Sequence, residues 1–187
     1  MSQIDQKHWW TEAVFYQIYP RSFFDSNGDG EGDLRGITAH LDYVDARGVD
    51  AIWMSPFYTS PNKDGGYDVA DPRDVDPRHG NLSDAKALFA RARELGMKII
   101  VDIIPNHFSS EHRCFRDALT APKGSVERSR FHFYEGKDAK TPPNTWISHL
   151  GGPACTPLEA GQWRFHLLTA PQPAPPRENP QVHTDHV

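Results

Sequence analysis

Three stretches of this chain carry oxygen- and nitrogen-bearing side chains at spacings that chemistry can use. The first runs Asp25-Ser26-Asn27-Gly28-Asp29-Gly30-Glu31-Gly32-Asp33. Oxygen side chains at alternate positions, with glycines between them for tight turns, can curl around a hard cation such as Ca²⁺. The opening six residues match an EF-hand loop, but the position that should hold a bidentate Glu is Gly36. A calcium loop of another type is therefore expected, with Asp25, Asn27, Asp29 and Asp33 offering side chains and Glu31 its backbone carbonyl. The same letters also spell a solvated Asp/Gly turn. The second stretch is Asp64-Gly65-Gly66-Tyr67-Asp68. A carboxylate there can grip sugar hydroxyls and an aromatic ring can stack on a pyranose face, although Asp-Gly-Gly-Tyr makes an ordinary turn as well. The third is Asp102-Ile103-Ile104-Pro105-Asn106-His107, where a carboxylate and an imidazole just past a strand face either a pocket or a satisfied structural network.

The elements that must position these groups follow from apolar periodicity. Ala13 to Tyr19 is β-branched and aromatic and reads as a buried strand closed by Pro20. Leu34, Ile37, Leu41 and Val44 recur at helical spacing, and Gly48 ends that helix. Val49 to Met54 reads as a second strand, and Tyr58 to Gly80 as one long loop. Asn81 or Ser83 can cap a helix running through Leu88, Phe89, Ala92 and Leu95 to a stop at Gly96. Lys98 to Ile103 is a near-continuous apolar run of the kind parallel sheets use. Strand and helix alternate up to Ile104, so a parallel α/β sheet or barrel is expected over residues 1–104. From 105 to 187 Pro, His and Gly accumulate and only short apolar runs such as Trp163 to Leu168 remain, which reads as an inserted subdomain. Pro171 to Pro176 is expected to be extended.

Composition narrows the function classes. The 187 residues carry a formal net charge of −5, with 37% hydrophobic and 24% charged residues. An acidic balance argues against a nucleic-acid partner. No apolar run approaches the roughly 18 residues that a membrane span needs, so no membrane partner is expected. Two cysteines, Cys114 and Cys155, make no disulfide framework, and a cytoplasmic location is the expectation.

The segments FYQIYPRSFFDSNGDGEGDLRGI, IWMSPFYTSPNKDGGYDVADP, KIIVDIIPNH, WISHLGGPACT, QWRFHL and ENPQV, in that order, resemble the opening third of α-amylase-family glycoside hydrolases, and bacterial α-glucosidases and oligo-1,6-glucosidases above all. The resemblance implies an α/β fold: the first three βα units of a (β/α)8 TIM barrel, with an irregular subdomain inserted after the third strand. It implies retaining hydrolysis of terminal α-linked glucose from short α-glucoside oligosaccharides. Asp64 resembles the residue gripping the non-reducing glucose, Tyr67 its stacking platform, and His107 a donor to a hydroxyl near the reacting carbon. Asp68 and Asp102 resemble residues that scaffold the pocket, and Asp25–Asp33 resembles the family's Ca²⁺ loop. No catalytic residue is assigned. The family's nucleophile segment, of the form G-F-R-x-D, does not occur in these 187 residues, so the chain alone is expected to be inactive. A non-catalytic glucoside-binding module and a sucrose- or trehalose-converting relative are the alternatives. Three departures stand out: Gln172-Pro173-Ala174-Pro175-Pro176 where the motif reads Q-P-D-L-N, Leu168 where an aromatic is common, and Cys155 where Trp is common. The linkage specificity stays open.

Overall fold

A computed structural model describes residues 8–138 and 140–185. In chain order the elements are β1 (Phe15–Ile18), α1 (Pro20–Phe23), α2 (Leu34–Ala39), α3 (Leu41–Asp45), β2 (Ala51–Met54), β3 (Tyr58–Thr59), β4 (Asp71–Val75), α4 (Leu82–Glu94), β5 (Lys98–Val101), α5 (Arg113–Thr120), β6 (Phe133–Glu135), β7 (Cys155–Pro157), β8 (Gln162–Phe165) and α6 (Pro180–Asp185). The chain divides into two compact units, one of residues 1–57 and 74–102, the other of 58–73 and 103–187. The boundary expected at 104/105 thus falls slightly earlier, and the 58–73 segment groups with the second unit. No helix among the described residues is long and apolar enough to cross a membrane.

In the first unit β1, β2 and β5 form a parallel sheet with β2 in the middle. Ile18, Ile52 and Met54 point to one face and are fully or almost fully buried. They pack with Leu34, Ile37, Leu41 and Val44 of α2 and α3 and with Ala85, Leu88 and Ala92 of α4. The isoleucine, leucine, valine and methionine side chains each contribute roughly 1.5–3 kcal/mol on burial, the alanines less. The apolar stripe from Leu34 to Val44 survives although the helix is broken at His40, whose backbone leaves helical geometry and whose ring lies against Phe24. Asn81 caps α4 through a reciprocal capping box with Asp84, and Gly96 follows its end at φ 77°. The other face of the sheet carries Phe15, Trp53 and Ile100, each more than a third exposed. Trp53 and Ile100 are in register with each other and with Gln17.

The expected single loop from Tyr58 to Gly80 contains a two-stranded sheet of β3 and β4. In the second unit the run expected to be irregular contains a three-stranded antiparallel sheet, ordered β6-β8-β7. Its core gathers Phe108, Phe115, Ala118, Phe131 and Val182, with Phe115 and Phe131 edge to face at 4.9 Å. The Pro-rich segment, expected to be extended throughout, opens in a turn closed by Gln172 N–H to the Thr169 carbonyl, after which Pro173 bridges His166 and Ala174 N–H donates to Phe165.

Candidate functional site

In the second unit three segments run side by side. Ser109 N–H donates to Val69, Phe108 N–H to Pro173 and Ser110 N–H to Pro171. These backbone bonds bring the Asp64–Asp68 turn, His107 and Gln172 together. The turn itself is built by Asp68, whose side chain is fully buried. Its carboxylate accepts from the N–H groups of Lys63 and Asp64 and from the Ser60 hydroxyl, at 3.0–3.1 Å. Gly65 and Gly66 sit at φ 59° and 97°, a region that suits glycine and lets the chain reverse before Tyr67. Asp68 is therefore the organiser of the loop.

Asp64 projects from this turn to Gln172, whose amide nitrogen donates to it at 2.6 Å. Gln172 is fully buried, and its oxygen accepts from the Thr169 hydroxyl at 2.7 Å. The same amide nitrogen is 2.9 Å from His107 Nε2, which is also 2.9 Å from the Tyr67 carbonyl oxygen. Burial pushes the His107 imidazole below its usual range, against the pull of the Tyr67 carbonyl and the Asp64 and Asp68 carboxylates. A neutral imidazole, a carboxylate and a primary amide thus meet at hydrogen-bond distance. Such a group can hold one hydroxyl that donates to Asp64 and accepts from His107 or Gln172. Tyr67 contributes its carbonyl to this cluster, and its side chain is half-buried. Asp102 lies in the first unit, where its carboxylate accepts from the Trp53 indole N–H at 2.6 Å.

The Asp25–Asp33 loop, also in the first unit, is coiled by its own side chains. Asp25 accepts from the N–H groups of Asn27, Gly28 and Gly30, Asn27 from Asp29, and Asp29 from Glu31. The Gly30 and Gly28 N–H groups hold the Asp25 carboxyl below its usual range. Asp33 behaves differently: both its oxygens serve Ser26, and one also caps α2 through Gly36 N–H. Burial raises the Asp33 pKa, but the Gly36 and Ser26 donors outweigh it and the net direction is down. The glycine at position 36 has a steric reason. A Cβ there would stand 2.2 Å from the Phe24 carbonyl oxygen, so no ligating side chain fits. The donor set is all oxygen, which suits Ca²⁺, and Glu31 Oε2 is buried without a hydrogen-bond partner, an acceptor that a cation would satisfy. Among the described residues, however, no three acidic, imidazole or thiol groups already converge as a metal cluster. A cation would have to draw its ligands in.

A family model described as the alpha-amylase catalytic domain matches residues 17–186. The chain belongs to that family. Trehalose-6-phosphate hydrolase of Escherichia coli is 45% identical over 95% of the chain and 32% of its own length. Oligo-1,6-glucosidase of Parageobacillus thermoglucosidasius is 44% identical over 95% and 31%. A solved trehalulose synthase superposes with a TM-score of 0.90 at 40% identity, covering 95% of the chain and 32% of that structure. The chain therefore spans about a third of the length of these α-amylase-family relatives.

Of the residues singled out in the sequence of this family member, Asp64, Tyr67, Asp68 and His107 are brought together, whereas Asp102 and the acidic loop belong to the other unit. The residue that sequence reasoning missed is Gln172. It stands at the head of the altered Gln172–Pro176 motif, but nothing in its spacing pointed to Asp64, more than a hundred positions earlier. Only the backbone pairing of Pro171 and Pro173 with residues 108–110 reveals it.

Proposed function

We propose that this chain is the N-terminal portion of a retaining α-glucosidase acting on short α-glucosides, and that it carries the grip on the terminal glucose. In this reading β1, β2 and β5 are the first three strands of a (β/α)8 barrel, and residues 103–187 belong to the subdomain inserted after the third. The observation that carries the reading is the Asp64–Gln172–His107 cluster, in which the three side chains meet within 3 Å contacts. Asp64 accepts from glucose hydroxyls, Tyr67 stacks under the ring, and the neutral His107 donates. Titration of maltose into the ¹⁵N-labelled chain tests this. Shift changes centred on Asp64, Tyr67 and His107 are expected at about millimolar affinity, on the order of −4 kcal/mol, and Asp64→Ala should abolish them. An unmoved spectrum at saturating sugar would remove the proposal.

A sucrose- or trehalose-converting enzyme is the second reading, supported by the likeness to trehalulose synthase. A cytoplasmic setting belongs to the same proposal on cysteine usage. Ca²⁺ belongs to it as a structural ion, held by Asp25, Asn27, Asp29, Glu31 and Asp33, where it would cross-link the loop to the start of α2. At about a hundredfold excess over its dissociation constant it should stabilise the fold by roughly 2.7 kcal/mol. The melting temperature should rise with Ca²⁺ and return with chelator, while Asp25→Ala should erase the gain. Calorimetry with no heat of Ca²⁺ binding to the folded chain would sink the assignment.

A further inference from the structure

We propose that Arg177 and Asn106 are positioning residues that fix His107 as the Nε2–H tautomer. A neutral imidazole has one donor nitrogen and one acceptor, and its neighbours decide which is which. Asn106 Nδ2 lies 3.2 Å from His107 Nδ1. An amide could present either its oxygen or its nitrogen there, but Arg177 Nη2 donates to Asn106 Oδ1 at 3.0 Å. A guanidinium offers only donors, so it claims the oxygen and turns the amide N–H₂ toward the ring. Nδ1 must then be the acceptor, and the proton sits on Nε2.

The far side of the ring agrees in part. The Tyr67 carbonyl, 2.9 Å from Nε2, requires a donor there. Gln172 makes the opposite demand, since its amide nitrogen also lies 2.9 Å from Nε2. Gln172 cannot turn its oxygen to the ring, because that oxygen is held by Thr169 and its nitrogen by Asp64. Two neighbours ask for Nε2–H and one against it. With Nε2–H in place, the cluster beside Asp64 holds one N–H more than it has acceptors. A ligand hydroxyl oxygen would take up that donor, which is where this inference rests on the proposed glucose grip; the tautomer itself does not. Arg177 lies immediately after the motif in which this chain departs from its family, and its side chain is exposed, so replacing it leaves the core intact.

Imidazole ¹⁵N spectra of the 187-residue chain without sugar, in solution or as a solid, test the relay. A net hydrogen bond of about 1 kcal/mol corresponds to several-fold bias, and with two contacts for it and one against it the Nε2–H form should exceed the other several-fold at neutral pH. Arg177→Leu frees the amide to flip and should lose most of that bias, whereas Arg177→Lys, still a donor to Asn106 Oδ1, should keep it. Asn106→Asp offers only oxygens and should move the proton to Nδ1. A wild-type spectrum dominated by Nδ1–H, or an unchanged ratio in Arg177→Leu, overturns the relay. Maltose failing to bind a chain with the expected tautomer would overturn the glucose grip and leave the relay standing.

Discussion

Purified by itself, the 187-residue chain should release p-nitrophenol from the α-glucoside no faster than a matched blank. Retaining hydrolysis needs two carboxyl groups about 5–5.5 Å apart, one as nucleophile and one as acid and then base. The cluster around His107 has two carboxylates, and neither is available. Asp68 is fully buried and spends its oxygens on Lys63, Asp64 and Ser60. Asp64 is held by Gln172, and the Asp68 carboxylate beside it is already committed to the turn. The neutral His107 can donate a hydrogen bond to developing charge, but without a nucleophile no charge develops. The loss should be of all turnover, a far larger effect than removing one binding contact. Rates above the blank that persist through repurification and vanish in Asp64→Ala would show that the chain does carry a nucleophile.

The first unit was legible because its signals are local. Strands β1, β2 and β5 lie inside the expected apolar runs, and Asn81, Gly48 and Gly96 act where their backbone preferences place them. The break at His40 was hidden because the apolar stripe continues through it: Leu34, Ile37, Leu41 and Val44 are all buried on both sides of the break. The second unit was illegible for the opposite reason. Strands β6, β7 and β8 have three, three and four residues, too short for alternation to register. Strand β4, Asp71-Pro72-Arg73-Asp74-Val75, carries a proline and three charges and offers no strand signal.

The site divides along the same line. Asp64, Tyr67 and His107 could be singled out because each sits in a short segment that resembles a family motif, residue types alone leaving an ordinary turn or a structural network as open alternatives. Their convergence could not be read from those segments, since it depends on the pairing of 108–110 with 69, 171 and 173. Gln172 and Asn106 lie inside quoted motifs and Arg177 just after one, but none of their residue types named a partner. An amide becomes informative only when its partners are known, because the partners decide which end donates.

Stability should fall steeply as the pH drops below the usual imidazole range, with a plateau above it. His107, His132 and His166 all have pKa values pushed below 6.5, chiefly by burial. His166 has in addition the Arg164 guanidinium against its protonation, partly offset by the Leu168 carbonyl. The unfolded chain takes up these protons near 6.5 while the folded chain refuses them, so the unfolded state binds more protons in that window. Stability is therefore complete above 6.5 and is lost below it until the folded values are passed. Each proton is worth about 1.4 kcal/mol per pH unit, so three imidazoles set a ceiling of about 4 kcal/mol per unit on the slope. At the alkaline end burial raises Cys155 above 9.0 and Tyr134 above 10.0, so the folded state holds protons that the unfolded state releases, and stability declines from there. The carboxylates held low, Asp25, Asp33, Glu135 and Asp138, act only below their ordinary values of 3.8 to 4.5, beneath the imidazole window. Urea midpoints across this range should reproduce the plateau and the acid slope, and His132→Gln should flatten the slope by about one proton. A midpoint that stays level down to about pH 5 would mean that the three imidazoles are as accessible to protons in the folded chain as in the unfolded one. The buried placement of His107 against Tyr67 and Gln172, on which the glucose grip depends, would then fail with it.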